Sequence, residues 1–256
     1  MTIFIAVLAT IALVGGAAAA EPEQSCDVPE SFVTSEIDLA RVGAAIKDKH
    51  RLDISVVGSG SSVLSGPDGA RFAYPAQLEQ ALKERLPGDE IKVIAHVQSR
   101  LTTADMVAAL PKILSEDRPA LVVWQAGTVD ALRGVEPDEF RASLYQGLDA
   151  IAGANADAIM MNMQYSPRIE SMLGVTAYAD VMRWVAEQRA VVLFDRLAIM
   201  RFWSDAGVFD LYAPTKGYAM ARRVHECLGR ALATLIVNAA HLLPVQSKNR
   251  ADENKQ

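Results

Sequence analysis

The sequence predicts an α/β protein, a three-layer α/β/α sandwich on a five-stranded parallel sheet. Short continuous apolar runs of β-type residues alternate with amphipathic stretches of ten or more residues, which is how a parallel sheet covered on both faces reads. No linker, repeat or low-complexity stretch interrupts residues 50 to 240, and 256 residues suit one large domain. With 51% hydrophobic and 22% charged residues the chain has ample material for a core. Its 25 basic and 31 acidic side chains, net charge -6, argue against a phosphate-backbone binder and hence against a nucleic-acid partner.

From the amino terminus, residues 1–20 carry no charge and run from Ile3-Phe4-Ile5 to Ala18-Ala19-Ala20 before Glu21-Pro22. This reads as a secretory signal peptide of h-region length with a small-residue cleavage site. An uncleaved membrane anchor is the competing reading, disfavoured by Gly15-Gly16 and the alanine run. Residues 21–49 form a lead-in and N-terminal helix, 50–243 the folded domain and 244–256 a polar tail. Strands are expected at Ile54–Val57, Ile91–Ile94, Ala120–Trp124, Ala158–Met161 and Ala190–Phe194, and helices between them at Tyr74–Arg85, Thr103–Leu114, Pro137–Ala152 and Thr176–Gln188. Pro137-Asp138-Glu139 puts a proline and two acids in a first turn, and Pro87-Gly88 closes the helix before it.

The two cysteines, Cys26 and Cys227, are too few for a disulfide scaffold and lack a zinc spacing, so no metal or other cofactor is expected. Export would make them partners, closing a loop worth up to about 5 kcal/mol in the chain-entropy model; two unpaired thiols are the alternative.

In a parallel sheet ligands bind beyond the carboxyl ends of the strands. After the first strand comes Gly58-Ser59-Gly60-Ser61-Ser62, after the second His96-Val97-Gln98-Ser99-Arg100, and after the third Gln125-Ala126-Gly127-Thr128-Val129-Asp130. With Trp124-Gln125-Ala126-Gly127-Thr128-Val129 and the segment Leu193-Phe194-Asp195-Arg196-Leu197-Ala198-Ile199-Met200-Arg201-Phe202-Trp203, these blocks resemble the SGNH/GDSL hydrolases, a flavodoxin-like fold, and within them a secreted bacterial branch. The resemblance spans about residues 26 to 238 and implies an esterase or acyl hydrolase using a Ser-His-Asp triad. It also implies that the working positions are replaced. The nucleophile's place falls on Gly60, the second-block glycine near Arg100, and the third-block asparagine on Val129. In the fourth block, Lys216-Gly217-Tyr218-Ala219-Met220 followed by Cys227, lysine stands for the aspartate and Ala219 for the histidine. A second register, Asp210-Leu211-Tyr212-Ala213, restores the acid and still supplies no histidine.

Serine is a poor nucleophile without a base in hydrogen-bond reach. Gly60, Val129 and Ala219 have no group to supply one, so no catalytic residue is assigned. Gly58, Ser59, Gly127 and Thr128 are expected to line the old cleft. The rescue pair is Ser61 with His96, read against a plainer alternative in which the serines satisfy turn backbone groups and His96 is a part-exposed loop residue. His50, His225 and His241 read as surface or helix-cap residues, and Asp105 and Asp130 as helix-start acids, with orientation of a base as the alternative. The run Met160 to Tyr165 reads as core or cleft lining, and Arg222, Arg223 and Arg230 as a solvated helix face.

The leading functional reading is an exported, non-catalytic protein that binds an acylated or glycan ligand in the old cleft or supports another envelope protein. An active esterase using Ser61 and His96 is the alternative, and a structural protein with a filled cleft is a third. Membrane association is expected only if the N-terminal segment stays uncleaved.

Overall fold

The computed structural model describes residues 25–66, 68–167, 170, 174–212 and 217–242. The segment read as a signal peptide, the polar tail, Ala213 and Lys216 lie outside the described residues.

Five strands, β1 (Arg51–Gly58), β2 (Glu90–Val97), β3 (Leu121–Gln125), β4 (Asp157–Met161) and β5 (Val192–Phe194), form one sheet in the order β2-β1-β3-β4-β5, every pair parallel. Apolar content follows position: β3 in the middle is buried along its whole length, whereas edge strand β2 is largely half-exposed. The helices are α1 (Ala40–Lys49), α2 (Gly69–Phe72), α3 (Tyr74–Arg85), α4 (Thr103–Asp117), α5 (Thr128–Arg133), α6 (Pro137–Gly153), α7 (Val175–Arg189), α8 (Arg196–Asp205) and α9 (Ala219–Ala239). Right-handed crossovers put α3 on one face and α4, α6 and α7 on the other. Helix α9 packs on α3 so closely that a Cβ at Gly229 would lie 2.6 Å from the Gln77 Cβ.

The strand centres expected from the sequence all lie within the sheet, while the boundaries shift by up to three residues, at β5 and β2 for clear local reasons. Ala190 ends α7 in a left-handed conformation, φ 46°, so β5 starts later, at Val192. Strand β2 runs past Ile94 because Ala95, His96 and Val97 pair with Val56, Val57 and Gly58. His96 is therefore a strand residue, not the loop residue expected.

Cys26 and Cys227 form a disulfide, Cα atoms 5.0 Å apart across 201 residues of sequence. It straps the lead-in to α9, with the Trp203 indole N–H donating to the Asp27 carbonyl (3.1 Å) and the Asn238 amide to the Val33 carbonyl (2.9 Å). Among the described residues no helix is long and apolar enough to cross a membrane.

Candidate active site

Strand order reverses between β1 and β3, and the loops that follow them part there. The crevice is an open cleft of about 570 Å³ whose lining includes Ser59, Gly60, Ser61, Ser99, Arg100, Thr128, Val129 and His225. The three post-strand segments singled out in the sequence thus meet at one edge of the sheet.

Behind its serine wall lies Gln125, the last residue of β3, wholly buried. The Gln125 Oε1 accepts from the Ser59 N–H (3.1 Å) and from the hydroxyls of Ser59 (3.2 Å), Ser61 (3.1 Å) and Ser62 (3.1 Å). Four donors converge on an oxygen with two lone pairs, so the serine-rich turn is pinned to β3 through one atom. Gly58 permits it: a Cβ there would sit 2.5 Å from the Ser62 hydroxyl.

Ser61 is held from the other side by Arg196, the first residue of α8. This guanidinium is buried and donates to the Ser61 carbonyl (3.3 Å) and to the Ser61 Oγ (3.2 Å). Burial lowers its pKa to about 10, only partly offset by Tyr74. The Ser61 hydroxyl therefore gives its proton towards an amide oxygen, which is no base, while its own lone pair receives a cation.

The histidine at this cleft is His225, two turns into α9, and it is buried, not the surface or cap residue expected. Its Nδ1 accepts from the Tyr74 N–H at 2.9 Å, so the neutral ring carries its proton on Nε2. Burial, and secondarily the charge of Arg196, lowers its pKa to about 4. A ring in that state offers a donor to the cleft and cannot accept a serine proton.

His96 is engaged elsewhere. Its Nε2 lies 2.5 Å from the Asp117 carboxylate at the end of α4, which also accepts from the Ser55 hydroxyl at 2.7 Å. Burial works against ionisation of Asp117, but Ser55 and His96 outweigh it and hold the carboxyl below its ordinary range. His96 is not among the residues lining the serine cleft, and the Ser61 hydroxyl's partners are Gln125 and Arg196. The Ser61–His96 pair is not assembled: the hydrogen-bonding needs of α4 and β1 have claimed the imidazole.

Arg100 has φ 68°, the left-handed region that glycine adopts freely, so the backbone still has the shape the resemblance assigns to a glycine there. Gly60 opens the turn after β1, and a Cβ placed on it would meet the Ser99 hydroxyl at 3.3 Å. Gly127 has φ 91°, and a Cβ there would lie 2.6 Å from the Met163 sulfur, so only glycine fits. Thr128 and Val129 then open α5, with the Thr128 hydroxyl buried without a partner. Ala219 is the first residue of α9.

The acids serve the fold. Asp130 accepts from the Thr103 N–H and hydroxyl (3.0 and 2.8 Å), and Asp105 forms a capping box with Thr102. His50 and His241 are exposed beside Asp89 and Asp38. Met160, Met161 and Met163 are core, and Arg222 lies over the Phe72 ring at 3.9 Å while Arg230 pairs with Glu226. No group of three or more His, Cys, Asp or Glu side chains among the described residues is placed to hold a metal ion.

A 2-1-3-4-5 parallel sheet with a serine-bearing turn after β1, facing the loop after β3, defines an SGNH-type hydrolase fold. The chain belongs to the non-GDSL lipase-like family, whose model matches residues 25–242. It is 30% identical over 121 residues to an arylesterase of Vibrio mimicus, covering 47% of this chain and 59% of that protein. To the esterase TesA of Pseudomonas aeruginosa it is 29% identical over 138 residues, covering 54% and 67%. A TesA crystal structure superposes with a TM-score of 0.56 at 25% identity over 75% of this chain and 99% of that one. A lipase/acylhydrolase from Enterococcus faecalis shares the fold, with a TM-score of 0.60 at 21% identity over 77% and 100%.

Proposed function

We propose that this protein is an exported, non-catalytic member of its family whose cleft binds a ligand without cleaving it. The observation that carries the reading is the bonding of Ser61: its hydroxyl faces Gln125 and Arg196, neither of which takes up a proton. The replacements at Gly60, Val129 and Ala219 agree, because a triad acts as a unit and loss of a member removes most of the rate. Export is supported by the Cys26–Cys227 disulfide, a bond that persists in oxidising compartments. An acylated ligand suits the rim, where Leu132 is 61% exposed beside Val63 and Leu64.

Hydrolysis through Ser61 is the second reading, favoured by the esterase names of the relatives. It requires a base other than His96. A fluorophosphonate probe and short-chain p-nitrophenyl esters separate the two. The binding reading expects neither labelling nor turnover above a heat-killed control; labelling that Ser61→Ala abolishes would establish the enzyme.

A further inference from the structure

Arg196 poses a problem that the serine turn does not solve. It is the only buried arginine among the described residues, 1% exposed. Surface arginines such as Arg51, Arg141 and Arg183 face carboxylates. Among the described residues the hydrogen-bond partners of Arg196 are two uncharged atoms of Ser61, and its Nε is buried with no partner at all. A guanidinium has five N–H donors, so most of this one is unspent. A buried cation with no counter-charge costs several kcal/mol, and such groups are normally paired or bind something.

Arg196 borders a second cavity, of about 400 Å³, within the size range of small-molecule sites. His225 borders it too, and His225, Gln164 and Ala221 also line the serine cleft, so the two spaces adjoin. The Nε2–H of neutral His225 is left free by the Tyr74 contact and adds a donor next to the cation. The same lining carries apolar side chains, Met200, Leu211, Met220 and Leu228, of which Met200 follows Arg196 by one turn of α8 and Leu228 follows His225 by one turn of α9. The space therefore offers charge-assisted donors with greasy surface alongside them.

We infer that this cavity binds a single-chain amphiphile with an anionic oxygen head, a carboxylate or a phosphate monoester, its head on Arg196 and His225 and its chain along the methionine and leucine wall. The planar fork of arginine matches both heads. The anion supplies the missing counter-charge, and burial of the chain adds the hydrophobic term. This rests on the binding reading above and names the ligand class for it.

The test is calorimetric titration of the intact disulfide-bonded protein with dodecanoate, dodecyl phosphate and dodecan-1-ol, the anions below their micellar concentrations and the alcohol below its solubility limit. At least one anion is expected to bind about ten-fold or more tighter than the alcohol, the scale of one charge-assisted hydrogen bond. The tighter of the two identifies the head. Arg196→Met should bring the anions to within about three-fold of the alcohol while leaving alcohol binding and the cooperative melt in place. Equal affinity for anions and alcohol in the wild-type protein, which needs no variant, overturns the inference, as does an anion preference that survives Arg196→Met. Turnover of methyl dodecanoate, run alongside, would sink the non-catalytic reading without altering the comparison of anion with alcohol.

Discussion

Replacing Gln125 by leucine deletes one oxygen and leaves four donors without their acceptor. The backbone N–H of Ser59 is the most serious loss, because it cannot rotate, and Ser59 is 1% exposed. A buried donor stranded in this way costs about 1–3 kcal/mol. The hydroxyls fare better: Ser62 keeps the Tyr74 hydroxyl at 3.1 Å, and Ser61 keeps the Arg196 contact. Counting the amide in full and the hydroxyls in part, Gln125→Leu should destabilise by about 2–4 kcal/mol. Gln125→Glu retains an acceptor oxygen, and it trades an Nε2 whose contact, with the Ala126 carbonyl, is 3.5 Å long for a buried carboxyl that is only one serine away from the Arg196 guanidinium. It should cost less than the leucine variant. Urea unfolding of the three proteins measures both differences, provided their m-values agree. A leucine variant within about 1 kcal/mol of wild type, or a glutamate variant weaker than it, would refute the idea that this one oxygen organises the turn.

Cys26→Ser with Cys227→Ala, alanine being chosen because Cys227 is fully buried, should lose up to about 5 kcal/mol in guanidinium unfolding; a loss below about 1 kcal/mol would show that the lead-in is held by its other contacts. His225 has a folded pKa of about 4 against an ordinary 6.5, so the unfolded chain takes up its proton first. Stability should therefore fall as pH drops from about 6.5 to about 4, by up to about 3 kcal/mol, and this contribution should level off below. His225→Asn, which keeps an acceptor for the Tyr74 amide, should flatten that limb of the melting curve, and an unchanged slope would contradict the assignment. At Arg100 the left-handed backbone predicts opposite behaviour of two substitutions: Arg100→Gly relieves a Cβ penalty of about 1–2 kcal/mol and should not destabilise, whereas Arg100→Val adds β-branching to it and should. Equal thermal destabilisation by both would remove strain as the explanation.

The scaffold was legible because its signals are local. Helix α3 runs from Tyr74 to Arg85 as expected, with Pro75 in its first turn and Gly88 just beyond its end. The central strands declare themselves through unbroken apolar runs that only a covered sheet accommodates. The site was harder to read because its contacts join residues far apart in the chain. Nothing near His96 announces Asp117, 21 residues on, as its partner. Two misses did leave a trace. His225 shares its helix face with Leu228 and Leu232, and Arg196 shares its own with Ile199, Met200 and Trp203, all buried. That spacing marks both polar side chains as inward-facing. A cation in an apolar stripe says more about Arg196 than its place in a family segment does.

The disulfide also determines how the molecule carries mechanical load. All five strands, from Arg51 to Phe194, lie inside the covalent loop that joins residues 26 and 227. Tension applied through the segments flanking the two cysteines passes directly across the sulfur bridge and along the remainder of α9, bypassing the sheet. Stretching can then peel the end of that helix, while the 201-residue span between the cysteines contributes no extension until the bridge is reduced. A chain tethered by its amino-terminal end in an oxidising compartment would keep its cleft in shape under traction, and reduction would convert the same pull into an unfolding force.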